Sequence, residues 1–161
     1  MSKFPIAVAL VGLLAAAPAW SKSLTAEARS ALDSALQDER HAEAVYGAVL
    51  RKFGDVRPFS NIIVAEQRHQ AMLFDMYKAY GVSAPENRYA TGALPVPTVP
   101  ETLAEACKIG VEAEIANRDL YDRTLLPAVK GYPDITLVME RLRDASEENH
   151  LPAFRRCANR G

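Results

Sequence analysis

Cysteine is scarce in this chain: only Cys107 and Cys157 occur among 161 residues. Two thiols so far apart exclude a zinc site built on clustered cysteines. Net charge is nearly absent too, at −1, which argues against nucleic acid as a partner. No apolar run is long enough to span a bilayer comfortably. The run from Ile6 to Ala17 holds about twelve residues, against the roughly twenty that a spanning helix needs. No cysteine follows that run, so a lipoprotein anchor is not expected.

With Lys3 ahead of it and Ala17-Pro18-Ala19 behind, the run reads as a cleavable export signal. Residues 1–21 are expected to be removed, by cleavage after Ala19 or, as second choice, after Ser21. The alternative is an uncleaved anchor. Residues 22–161 are then the folded part, periplasmic or secreted, with no stable membrane insertion. An oxidising compartment favours pairing Cys107 with Cys157; two buried free thiols are the alternative.

Four helical segments follow from apolar periodicity and its punctuation. The first runs from Thr25, an N-cap, to Phe53, where Gly54 stops it. The second starts after Pro58, with Ser60 or Asn61 able to cap, and reaches Tyr80 before Gly81. The third follows Pro100, carries Glu101 in its first turn, and is ended or kinked by Pro127. The fourth begins near Pro133-Asp134 and runs to about Cys157, with a kink at Pro152. Helices one and two are joined by a short loop, as are three and four, so each pair is an antiparallel hairpin. Between the pairs lies Val82 to Pro100, rich in proline. At roughly 3.3 Å per extended residue it reaches about 60 Å, more than the roughly 36 Å of a 24-residue helix. The expected fold is therefore all-α: a ferritin-like four-helix bundle of two hairpins joined by one long crossover.

The phrase Glu-x-x-His occurs twice, as Glu66-x-x-His69 and Glu147-x-x-His150. Residues three apart share a helix face, so each phrase offers a carboxylate and an imidazole together. Helices one and three supply single glutamates in related phrases, Glu39-x-x-Ala42-x-x-x-Tyr46 and Glu114-x-x-Asn117-x-x-x-Tyr121. The copies are 75 and 81 residues apart, so the hairpins look like relics of one duplicated unit.

All these residues sit near the midpoints of their helices, and in an antiparallel bundle midpoints meet at one level. Buried carboxylates must be protonated or paired, and Lys and Arg are scarce on that face. Two divalent cations would cancel four carboxylates, with Glu66 and Glu147 bridging and Glu39, Glu114, His69 and His150 as terminal ligands. Oxygen and imidazole donors suit iron, with manganese as the alternative. Glu112 competes with Glu114 for the helix-three role. His41 and Glu43 point elsewhere on the wheel and are expected in solvent. Tyr46 and Tyr121 are candidates to donate hydrogen bonds to ligand carboxylates, ordinary core packing being the other reading. Asn117 and Ser146 are weaker candidates. Cys107 lies seven residues before Glu114 and Cys157 seven after His150, which puts both thiols roughly 10–13 Å from the metal level at one end.

Asp38-Glu39-Arg40 with Tyr46, Phe53-Gly54, Pro58-Phe59-x-Asn61-Ile62, Glu112-Ala-Glu114-Ile115-Ala-Asn117, Leu120-Tyr121-Asp122 and Ser146-x-x-Asn149-His150-Leu151 complete the pattern. Together with Glu66-x-x-His69 it resembles the ferritin-like family catalogued as domain of unknown function 2202, from about Leu32 to Cys157. More distantly it is similar to the rubrerythrin and bacterioferritin branch of that superfamily. The resemblance implies a four-helix bundle with a carboxylate-bridged dinuclear centre and leaves the substrate open. The Cys-rich rubredoxin module of full rubrerythrins is missing, which puts a peroxidase with an attached electron relay in doubt. The functional expectation is a di-iron protein reacting with oxygen, peroxide or ferrous iron, as an oxidoreductase of ferroxidase or peroxidase type. The alternatives are a non-catalytic metal binder and a purely structural bundle.

Overall fold

A computed structural model describes residues 23–160; the expected export signal lies outside them. Helix α1 (Ala26–Phe53) opens on Thr25, whose hydroxyl accepts from the Ala28 N–H at 3.2 Å, satisfying one of the amides a helix start leaves free. It ends at Gly54, where φ is 79°, a conformation that disfavours residues with a Cβ. Helix α2 (Phe59–Ala79) begins on Pro58 with no side-chain cap, because the Val56 and Pro58 carbonyls accept from its first amides. Ser60 and Asn61 therefore do not cap it. Helix α3 (Leu103–Leu120) starts two residues later than expected, on a reciprocal capping box between Thr102 and Glu105. Glu101 lies outside the helix and pairs with Lys52 at 3.2 Å.

Helices three and four are composite rods. In the third, α3 passes into a π turn, Tyr121–Leu125, and then α4 (Leu126–Val129). In the fourth, α5 (Pro133–Ala145) passes into a second π turn, Ser146–His150, and then α6 (Leu151–Ala158). Each π turn stands directly before a proline at the second position of the next helix. Pro127 and Pro152 bring no N–H to the ladder. The chain responds by widening one turn: the Leu126 N–H reaches back five residues to the Tyr121 carbonyl, and Leu151 to Ser146. The expected kinks are thus π bulges, a form that recurs at functional sites.

Among the described residues there is no strand, and the rods form a four-helix bundle of two hairpins. Tyr77 near the end of α2 donates to Asp33 near the start of α1 at 2.7 Å. The Cys107–Cys157 disulfide, Cα–Cα 5.8 Å, ties the start of α3 to the end of α6. The crossover runs along α1 as its length allows: Arg29 donates to Ser83 O, Arg40 to Pro85 O and Lys52 to Pro100 O, at 2.7–2.9 Å.

The apolar core is split in two. One cluster holds Leu32, Leu36, Leu73, Tyr121, Met139 and Leu142 among others. The second, beyond it along the bundle axis, holds Tyr46, Val49, Phe59, Ile62, Cys107 and Phe154. Burying each large aliphatic side chain contributes about 1.5–3 kcal/mol, so these clusters hold the rods together. The layer between them is polar.

Candidate metal centre

Glu39 of α1, Glu66 and His69 of α2, Glu114 of α3 and His150 of the second π turn fill that polar layer, and each is at most 7% exposed. They form two triads, Glu39–Glu66–His69 and Glu66–Glu114–His150. Within each triad the candidate ligand atoms lie within 4.8 Å of one another. Glu66 belongs to both. Its Oε2 is 2.9 Å from His69 Nδ1, and its Oε1 is 3.4 Å from His150 Nδ1, so one carboxylate offers one oxygen to each triad. His69 Nδ1 is also 3.0 Å from Glu39 Oε2, and His150 Nδ1 is 3.6 Å from Glu114 Oε2. The two imidazoles stack at 5.7 Å.

The tyrosines brace the layer crosswise. Tyr46 of α1 donates to Glu114 Oε1 of α3 at 2.8 Å, and Tyr121 of the third rod donates to Glu39 Oε1 of α1 at 3.0 Å. Each is held well above the ordinary phenol pKa, first by burial and then by nearby carboxylate charge, so both keep the proton they donate. Asn117 meets Asp38, not a carboxylate of the triads. Asp38 is the residue that sequence reasoning missed as a participant. Half-buried next to Glu39, it is pushed up to about 7 by burial and by the Glu39 charge, against the opposing Asn117 bond.

Glu112 is exposed whereas Glu114 is 3% exposed, so it is Glu114 that enters the layer. Glu147 does not enter it, which corrects the expectation of a second bridging glutamate. It lies exposed near Arg118, whose guanidinium is held up by its bond to Asp119 and, in smaller part, by the Glu147 charge. The cause is the π turn. With hydrogen bonds closing over five residues, positions three apart no longer superpose. His150 is buried and shares the inner face with Ser146, four residues before it. The signal was Pro152, whose effect on the turn ahead of it decides which side chains point inward.

Of the two neighbours of Glu39 expected in solvent, His41 is there and Glu43 is not. Glu43 is half-buried and accepts from Gln67 and Gln70 at 2.9 and 2.7 Å. His41 is exposed but stacks on Tyr89 of the crossover at 5.5 Å.

Three carboxylates in one buried layer create an electrostatic problem that protons solve only in part. Burial pushes Glu66 well above the usual carboxylate range, with the His69 bond opposing and the Glu39 charge adding. Burial opposes charging of His69, yet its bonds to Glu39 and Glu66 outweigh that and raise it to about 10. Burial also works upward on Glu39, but the His69 bond and charge prevail and hold it below the usual range. A proton on His69 thus does at one triad what a cation would do. At the other triad His150 Nδ1 is buried without a hydrogen-bond partner among the described residues, facing Glu66 and Glu114. An orphaned imidazole nitrogen aimed at two carboxylates is a donor set that fits a divalent ion.

No family model matches the chain, and no curated protein matches it. Among solved structures it is similar to the crystal structure of a hypothetical protein from Methanococcus jannaschii DSM 2661. The TM-score is 0.71 at 20% identity, over 91% of this chain and 86% of that one. At that identity the likeness bears on the fold alone.

Proposed function

We propose that this chain is a dinuclear metal protein of the ferritin-like superfamily, in the family catalogued as domain of unknown function 2202. The observation that carries the reading is the pair of triads sharing Glu66 between two apolar clusters. Glu39 with His69 would hold one ion, Glu114 with His150 the other, and Glu66 both. Iron is the metal proposed, with manganese as alternative. When bound, the pair supplies redox chemistry towards oxygen, peroxide or ferrous iron.

The chain's own contribution is positional. Tyr46 and Tyr121 fix the terminal carboxylates by hydrogen bonds, and supporting groups of this kind set ligand orientation and basicity. The apolar clusters keep bulk water from the two ends of the layer along the bundle axis. Each triad would give its ion only three protein donors, so coordination positions would stay open for a small molecule from solution. The disulfide is compatible with an oxidising compartment, and among the described residues no helix is long and apolar enough to cross a membrane. We place the protein in the periplasm or outside the cell.

The test is metal content of the purified protein by plasma mass spectrometry, followed by peroxide consumption with a reductant. About two iron or manganese ions per chain with turnover supports an oxidoreductase; the same content without turnover supports a binder. Folded, metal-free protein that refuses added iron overturns the reading.

A further inference from the structure

The polar layer is not sealed on the side of α1 and α3. A cavity of about 150 Å³ opens there, with Glu39, Glu66 and Glu114 at its inner end and Val45, Pro97, Ile109 and Ala113 on its walls. A second, of about 70 Å³, shares Val45, Tyr46, Pro97, Ile109 and Ala113 with the first, and it continues under the crossover to Val99 and Pro100. The two form one groove. Its outer wall is the crossover itself, held to α1 by Lys52 at Pro100 and by the His41–Tyr89 stack. Ile109 stays 48% exposed at the mouth.

We propose that this groove is a binding site for a neutral, apolar molecule of about one aromatic ring, delivered against the carboxylate layer. Size and charge select the ligand. An apolar cavity of about 150 Å³ holds a benzene ring, whereas pockets for drug-sized ligands run from about 300 Å³ upward. Among the described residues neither Lys nor Arg lines either part, and the titratable groups at the inner end are Asp38, Glu39, Glu66, Glu114, Tyr46 and the His41 ring. In the metal-free protein an anionic ligand therefore meets carboxylates and no cationic side chain. The remaining contacts, from Val45, Pro97, Ile109 and Ala113, reward removal of apolar surface from water. The proposal rests on the dinuclear reading only for what the bound molecule meets at its inner end.

The test is calorimetric titration of the purified full chain with benzene, with metal content measured on the same samples. Ala113→Phe fills the groove from an exposed helical position, and Ile109→Trp covers its mouth from another exposed position. We expect one benzene site in the unsubstituted protein, weakened about tenfold or more by either substitution, with metal content unchanged. No benzene site, or equal affinity in both folded variants, overturns the proposal. A metal-free protein whose benzene site is still lost in Ala113→Phe would keep the groove and discard the dinuclear reading.

Discussion

Glu66 and Glu147 occupy matching places in the two Glu-x-x-His phrases, yet the structure gives them opposite fates, and replacing each by alanine separates the two accounts. Glu66 touches both triads, with one oxygen towards each imidazole, whereas Glu147 is exposed. A ligand present at 100 times its Kd stabilises the folded state by about 2.7 kcal/mol per site. At roughly 2.1 cal/mol/K per residue, the entropy of unfolding residues 23–160 is about 0.29 kcal/mol/K. Each filled site should then raise Tm by about 9 °C, and two filled sites by about 18 °C. The assay is calorimetric melting with manganese(II), which spares the sample iron oxidation. The unsubstituted protein and Glu147→Ala should show the full shift, and Glu66→Ala almost none. If Glu66→Ala kept half the shift or more, the shared carboxylate would be refuted. If Glu147→Ala lost the shift, the outward placement caused by the π turn would be.

Four further outcomes are expected. Metal binding at pH 7 should release at least one proton, because His69, whose pKa of about 10 keeps it charged there, must lose its proton to bind, and the raised Glu66 adds to the release; calorimetry in buffers of different ionisation enthalpy reads the total, and zero release would contradict the His69 assignment. In metal-free protein His69, Asp38 and Glu66 are all raised, so their stabilisation is present at low pH. For His69 it is full below about 6.5 and lost as pH rises towards about 10, and for Asp38 it is lost as pH rises through about 7. Urea midpoints between pH 6 and 10 should fall, and a rise would reverse the sign. Opening the 50-residue disulfide loop with Cys107→Ser and Cys157→Ser should cost about 4 kcal/mol by loop entropy, and a cost below about 1 kcal/mol would show that the packing of α3 on α6 suffices alone. Gly110→Ala places a Cβ 2.6 Å from the Phe154 ring, and urea denaturation should show a loss of about 1–3 kcal/mol; no loss would mean that Phe154 moves aside freely.

What the sequence revealed, and what it hid, divides along one physical line. Helix α1, its Thr25 cap and its Gly54 stop were legible because local chemistry decides them. The crossover was legible because the length of Val82 to Pro100 and the two short loops leave one economical topology. Glu39, Glu66, His69 and Glu114 were legible because regular α geometry turns spacing into direction. That geometry fails where a proline removes a ladder donor. Pro152 widened the turn that carries Glu147 and His150, so the second phrase could not be read as a copy of the first. The crosswise bracing, Tyr46 to Glu114 and Tyr121 to Glu39, was invisible for a different reason. Spacing placed each tyrosine on the face of its own helix's glutamate, whereas its partner is set by the packing of α1 against the third rod. Asp38 was hidden likewise, since its burial and its bond to Asn117 arise where α1 packs on the third rod.

The central claim is that two ions share Glu66 within one buried layer. Anomalous diffraction at the iron edge, from crystals of iron-loaded full chain, tests it most directly. The account predicts two peaks per chain, one among Glu39, Glu66 and His69 and one among Glu66, Glu114 and His150. A single peak, peaks at Glu147, or none in crystals shown to contain iron would contradict it.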